Sequence, residues 1–256
     1  MYYGLYTEAS QNLNDAYIMQ RKLFGEEHPE TAITKDSLAQ TNIWLGKYQE
    51  AEKLVLEAIH TFKTVLGENH HRTAKSIGTL AKLRLQEEKL NEAYDLINQT
   101  LDNYTTTLGR KHPYTAFILN YVAETLYKMG EVEQAELLLT EANQSLLRQE
   151  KTEIAYQIHI VKNLAIVYAS TNRFEEAVDL LLQAIHQCKA TLPTHEDFIS
   201  ACEYELAKIQ FIMDPSIERK EQLEHAFRRR QSLLGPSHPE FQKIEKDFTN
   251  VFNLVS

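Results

Sequence analysis

Glycine and proline are scarce in this chain, 8 and 6 residues among 256. These two residues punctuate turns and break helices, so a chain short of both can stay helical over long stretches. Cysteine is scarcer still. Cys188 and Cys202 cannot form a disulfide framework and match no metal-ligand spacing, which points to a reducing compartment and to thiols that pack between helices. No run approaches the ~18 uninterrupted apolar residues of a membrane span. The N-terminus MYYGLYTEASQNLND also lacks the basic region and apolar core of a secretory signal. A soluble, cytoplasmic protein is expected. Basic residues are outnumbered, 27 Lys and Arg against 36 Asp and Glu, for a formal charge of −9. That balance argues against nucleic acid, whose binding rests on basic residues displacing counterions from phosphates. Gly-rich phosphate loops, nucleophile elbows and paired metal motifs are missing as well. No catalytic residue, metal or cofactor is therefore assigned, and no enzyme is expected.

What the chain does contain is 43 % hydrophobic residues and a period. The segments GEEHPET from Gly25, GENHHRT from Gly67 and GRKHPYT from Gly109 lie 42 residues apart, and GPSHPEF from Gly235 falls three further periods on. The two intervening copies fall in register at Lys151 and Pro193, where the motif has decayed. Small residues keep the phase throughout: Ala39, Ala81, Ala123, Ala165 and Ala207 in one column, Ala51, Ala93, Ala135 and Ala177 in a second. Helices packed at roughly 8–10 Å between axes leave room for Ala, not Leu, where they cross. Large apolar residues fill the space beside each crossing, a role that suits Leu13, Val55, Ile97, Leu139, Leu181 and Leu223, with Tyr6, Tyr48, Leu90, Val132 and Phe174 facing the turns.

Each period divides into two helices. The first opens at the His-Pro pair, because proline tolerates the first helical position. It ends near Gly46 or Gly130, and the second ends at Gly67 or its equivalents, where glycine caps without a Cβ penalty. The predicted architecture is all-α, a right-handed superhelical solenoid of antiparallel helix pairs spanning 1–256. Its parts are a half repeat at 1–24, repeats at 25–66, 67–108, 109–150, 151–192 and 193–234, and a capping helix at 235–256. Only MYY remains of a first helix at the start, which suggests a piece of something longer.

The 42-residue period, the LGxxHPxT joint (Leu66 to Thr73, Leu108 to Thr115) and the LGKYQEAE turn at Leu45 to Glu52 resemble the tetratricopeptide repeats of kinesin light chain and its relatives. The resemblance covers essentially the whole chain. It implies a scaffold whose first helices line a concave groove that grips peptides, through an LNNLA motif whose asparagines contact the peptide backbone. Here the corresponding pairs are Asp36-Ser37, Gly78-Thr79, Asn120-Tyr121, Lys162-Asn163 and Tyr204-Glu205, so only Asn120 and Asn163 keep the motif.

The four recurring histidines, His28, His70, His112 and His238, cannot share one ion, since successive helix pairs are too far apart for ~2 Å metal bonds. Packing or capping at the helix start is the expected role. Groove-facing candidates are Lys75, Lys82, Asn120, Glu124, His159, Lys162, Asn163, Tyr204 and Lys208. Several are lysines in an acidic protein, which favours an acidic peptide or a C-terminal carboxylate. A helical peptide against Tyr127, Phe117 and Phe211 is the apolar alternative. The basic run FRRRQ at Phe227 to Gln231 reads as a solvated helix face. A protein-binding scaffold or adaptor is the leading expectation, and a sensor or regulatory region of a larger signalling protein is the alternative. The exposed ends permit a homo-oligomer without requiring one.

Overall fold

The computed structural model describes residues 2–147, 154–191, 196–236 and 238–255. The decayed joints at Lys151 and Pro193 lie outside them, as does the Tyr6 side chain. The described residues form helices only: α1 (Tyr2–Phe24), α2 (Pro29–Trp44), α3 (Tyr48–Leu66), α4 (His71–Gln86), α5 (Leu90–Leu108) and α6 (Pro113–Met129), then α7 (Val132–Leu147), α8 (Ile154–Ser170), α9 (Phe174–Thr191), α10 (Glu196–Met213), α11 (Ile217–Leu234) and α12 (Pro239–Val255). They group into two compact units, residues 3–129 and residues 130–256. Each unit is a short α-solenoid.

In the unit of residues 3–129, α2 packs against α3 and α4 against α5, while α4 stacks on α2 and α6 on α4. In the unit of residues 130–256, α8 pairs with α9 and α10 with α11, α10 stacks on α8, and α12 lies against α10 and α11. The small-residue columns sit at the crossings, with Ala39, Ala81, Ala123 and Ala165 all completely buried. Beside them Leu139, Leu181 and Leu223 are equally buried, each burial contributing ~1.5–3 kcal/mol. Cys188 and Cys202 lie free in the α8–α9–α10 core, where burial pushes the Cys202 thiol up to about 12.

Both kinds of turn recur atom for atom. Inside a repeat, Lys47 N–H donates to the Asn42 carbonyl and Gly46 N–H to Ile43; Lys89 and Glu88, then Arg173 and Asn172, repeat the pattern one and three periods on. This double bond closes a helix only if the penultimate residue is left-handed. Gly46, Glu88, Gly130 and Asn172 accordingly all have φ between 61° and 90°.

Between repeats, the predicted joint is closed by two bonds. The N–H of Glu30, Arg72, Tyr114 and Glu240 each donates to Nδ1 of His28, His70, His112 and His238 at 3.2 Å. The histidines are thus helix N-caps, one of the two roles expected for them. In three copies a buried threonine hydroxyl, of Thr31, Thr73 and Thr115, donates back to the carbonyl of Gly25, Gly67 and Gly109 at 2.8 Å.

Candidate functional site

On each first helix, positions three, four and seven residues apart share one face. In the unit of residues 3–129 that face carries Lys75 and Lys82 on α4, with Asn120 and Glu124 on the neighbouring α6. Lys75 is exposed. Lys82 is half-buried, its Nζ held 4.5 Å from the Trp44 ring centre of α2, a cation–π contact that fixes a side chain otherwise free to sweep. Glu124 pairs with Lys128 at 3.2 Å, and Asn120 is buried. Phe117 and Tyr121 meet edge to face at 4.9 Å between these polar groups.

In the unit of residues 130–256, α8 carries His159, Lys162 and Asn163, all half-buried, and α10 carries Tyr204 and Lys208. The His159 ring stands edge-on to Phe198 of α10 at 4.4 Å. The α10 part of the stripe is already engaged. Tyr204 is 1 % exposed, and its hydroxyl donates to Asp247 Oδ2 of α12 at 3.2 Å. Lys208 reaches the same oxygen at 3.0 Å and Glu205 at 2.6 Å. Burial works against the Lys208 ammonium, but Glu205 and Asp247 outweigh it and hold its pKa above the ordinary lysine range. Phe211, expected to offer apolar surface to a helical peptide, is buried against Phe252 instead. The reason is that α12 stacks on α10 as the next first helix would.

Two further polar centres were not anticipated. Lys35 of α2 is buried in register with Ile77, Leu119 and Val161, and its Nζ bridges Glu26 at 2.9 Å and Glu57 at 2.8 Å. Burial opposes this ammonium too, yet the Glu57 and Glu26 carboxylates raise its pKa, while Lys35 in turn lowers that of Glu26. A cavity of about 670 Å³ opens beside it among α1, α2 and α3, edged by Tyr17, Arg21, Lys53 and His60.

The second centre corrects the reading of FRRRQ as a solvated face. Arg228 is exposed, but Arg229 pairs with Glu203, and Arg230 is completely buried. Arg230 Nη1 donates to the Asp197 carbonyl and carboxylate and to Ser200 Oγ of α10, and Nη2 donates to Glu240 of α12 at 2.7 Å. The signal was in the period: Arg230 stands in register with the buried Phe62, Tyr104, Leu146 and Cys188. A lysine or arginine falling in an apolar column marks a buried ionic centre, whatever the charge of its neighbours.

Among the described residues no group of three His, Cys, Asp or Glu side chains could hold a metal ion, and no helix is long and apolar enough to cross a membrane. Tetratricopeptide repeat models match residues 3–59, 37–106 and 78–148, and a further one matches 162–197. No curated protein matches the chain. Among solved structures, the nearly identical repeats of a kinesin light chain from Podosopora anserina align with a TM-score of 0.60 and 23 % identity over 80 % of this chain and 97 % of that one. BtubC (BKLC) from P. vanneervenii aligns with a TM-score of 0.66 and 15 % identity over 92 % and 93 %. At these identities the likeness is one of fold.

Proposed function

Because the chain belongs to the tetratricopeptide repeat family, whose fold serves as a protein–protein interaction scaffold, we propose that it holds an acidic peptide or helical segment of a partner protein on the first-helix face of each unit. The observation that carries this reading is the Lys82–Trp44 pair, a lysine on the polar first-helix stripe whose Nζ an aromatic ring of the neighbouring first helix holds in place. A cation pre-positioned in this way loses little side-chain freedom when an anionic group arrives. Lys75, two helical turns before it, supplies a second positive charge on the same face.

In the unit of residues 130–256 the same role falls to Lys162, with Asn163 and His159 as hydrogen-bonding neighbours. Asn120 and Glu124 complete the proposed lining on α6. Tyr204 and Lys208 belong to the stripe by register, but they are bound to α12, so they contribute shape more than charge. The proposed partner is a protein, and the proposed activity is recognition without turnover.

The reading is tested with labelled peptides rich in Asp and Glu, titrated against the chain by fluorescence anisotropy. Reversing charge at Lys82 and Lys162 together is expected to weaken binding by about tenfold or more, the equivalent of ~1.4 kcal/mol. Affinity unchanged in the double variant would remove the first-helix face from consideration.

A further inference from the structure

Capping a helix start uses one nitrogen of the histidine ring, so what covers the faces of that ring is set by its neighbours. In residues 130–256 the cap His238 is 2 % exposed. In residues 3–129 the joints keep rings at the surface instead. His70 is half-buried and lies 4.3 Å from the ring of the exposed His71, and His112 lies 5.2 Å from Tyr114, which is 44 % exposed. At Gly25 the ring stacked on His28 is Phe24, at 4.7 Å. The second ring stands four residues before the histidine at Gly25, one after it at Gly67 and two after it at Gly109. A ring pair therefore recurs at each joint although no sequence column supplies it.

The joints at Gly67 and Gly109 each add an aliphatic side chain in water, Val65 of α3 at 51 % and Leu108 of α5 at 37 % exposure. Their setting is basic. Arg72 stands where the first joint has Glu30, and residues 104–114 carry Arg110 and Lys111 with no Asp or Glu, in a chain of formal charge −9. The interval between the two patches follows from the fold: α6 stacks on α4, which sets them roughly 8–10 Å apart. A polyproline II helix advances about 9 Å per turn and returns every third residue to one face. A β-strand returns a side chain to one face every ~7 Å and an α-helix every ~5.4 Å, so neither keeps step with the joints.

We propose that the joints at Gly67 and Gly109 form a docking edge for an extended proline-rich segment of a partner protein, with prolines three residues apart and acidic residues between them. One proline rests on the His70–His71 pair and the next on the His112–Tyr114 pair. Aromatic-lined surfaces take such segments because a polyproline II helix is already ordered and loses little entropy on docking. The acidic residues between the prolines meet the charges of Arg72 and Lys111. This edge is separate from the lysine stripe proposed above: His71 opens α4, and Lys82 lies about three turns further along it.

Fluorescence anisotropy of the full chain with a labelled (Pro-Pro-Glu)4 peptide tests this, with (Ala-Ala-Glu)4 as a probe of equal charge that lacks the proline helix. The expected result is saturable binding of the proline peptide, about tenfold or more tighter than that of the alanine peptide. His71→Pro installs the residue that Pro29 and Pro113 hold in the same register, so it removes a ring and keeps the helix start. It and Tyr114→Ala should each weaken binding by about tenfold, with helicity by circular dichroism unchanged. No saturable binding of the proline peptide overturns the proposal. So does equal affinity for the alanine peptide, or wild-type affinity in either ring variant. Loss of the proline peptide on reversing Lys82 and Lys162 would overturn it in favour of the first-helix face. The ring variants leave that face untouched, so this test and the titration with acidic peptides fail separately.

Discussion

The two units tie successive repeats together by different chemistry. In residues 3–129 the joint is closed by a neutral bond inside the joint itself, threonine hydroxyl to glycine carbonyl six residues back, repeated at Thr31, Thr73 and Thr115. In residues 130–256 the copy at Gly235 has Phe241 where threonine stood, and Arg230 does the joining, bonded to Asp197 and Ser200 on one helix and Glu240 on another. The neutral tie is local and repeated in three joints, whereas the Arg230 tie is long-range and places several bonds on one side chain. Redundancy spreads the cost of a lesion, and concentration focuses it.

The largest expected break is therefore Arg230→Ala. It leaves the Asp197 and Glu240 carboxylates without their cation and should cost about 3–5 kcal/mol, as for other broken buried ion pairs. Thermal unfolding would register the loss, and hydrogen exchange should place it in residues 130–256, because repeat units contact only their neighbours. A shift no larger than that of a surface variant would show that the ionic tie is dispensable.

Thr73→Val should cost less, about 0.5–1.5 kcal/mol, since the Gly67 carbonyl keeps the His70 N–H as a donor and the other two joints stay intact. If its effect matched that of Arg230→Ala, the local ties would not be redundant.

Acid should loosen residues 130–256 more gently. Burial holds the His238 imidazole below its ordinary value of 6.5, so the unfolded chain takes up the proton first. Stability is complete above about pH 6.5 and declines as pH falls through the window below it, because protonation also removes the Nδ1 lone pair that caps α12. His238→Asn, which retains a capping oxygen, should flatten that decline in urea midpoints measured across the window.

The smallest effect expected is a gain. Glu88 holds φ +63° at a turn where Gly46 and Gly130 hold the equivalent place, so Glu88→Gly should stabilise residues 3–129 by up to about 1 kcal/mol. A loss of stability would mean that the Glu88 side chain contributes more than its backbone conformation costs.

The helices, their order and the capping role of the histidines were legible because a period exposes them. Each column is several independent readings of one structural position, and Ala39, Ala81, Ala123 and Ala165 agree. The proposed site was less legible. Register places Tyr204 and Lys208 on the first-helix stripe, but only the position of α12 reveals that Asp247 claims both. That contact joins residues about forty apart, and no local pattern announces it. Lys35 and Arg230 were missed for another reason. Charge suggested solvent, while their columns, read for the position rather than the residue, specified core.

The depth of Cys188 and Cys202 has a practical consequence for every measurement above. A thiol raised by burial to about 12, as at Cys202, carries almost no thiolate near neutral pH, and Cys188 is shielded in the same core. The native chain can thus serve as an unreactive background for selective labelling. A cysteine introduced at Leu23 or Lys75 would take a dye or spin label ahead of either native thiol, with no residue of the core removed.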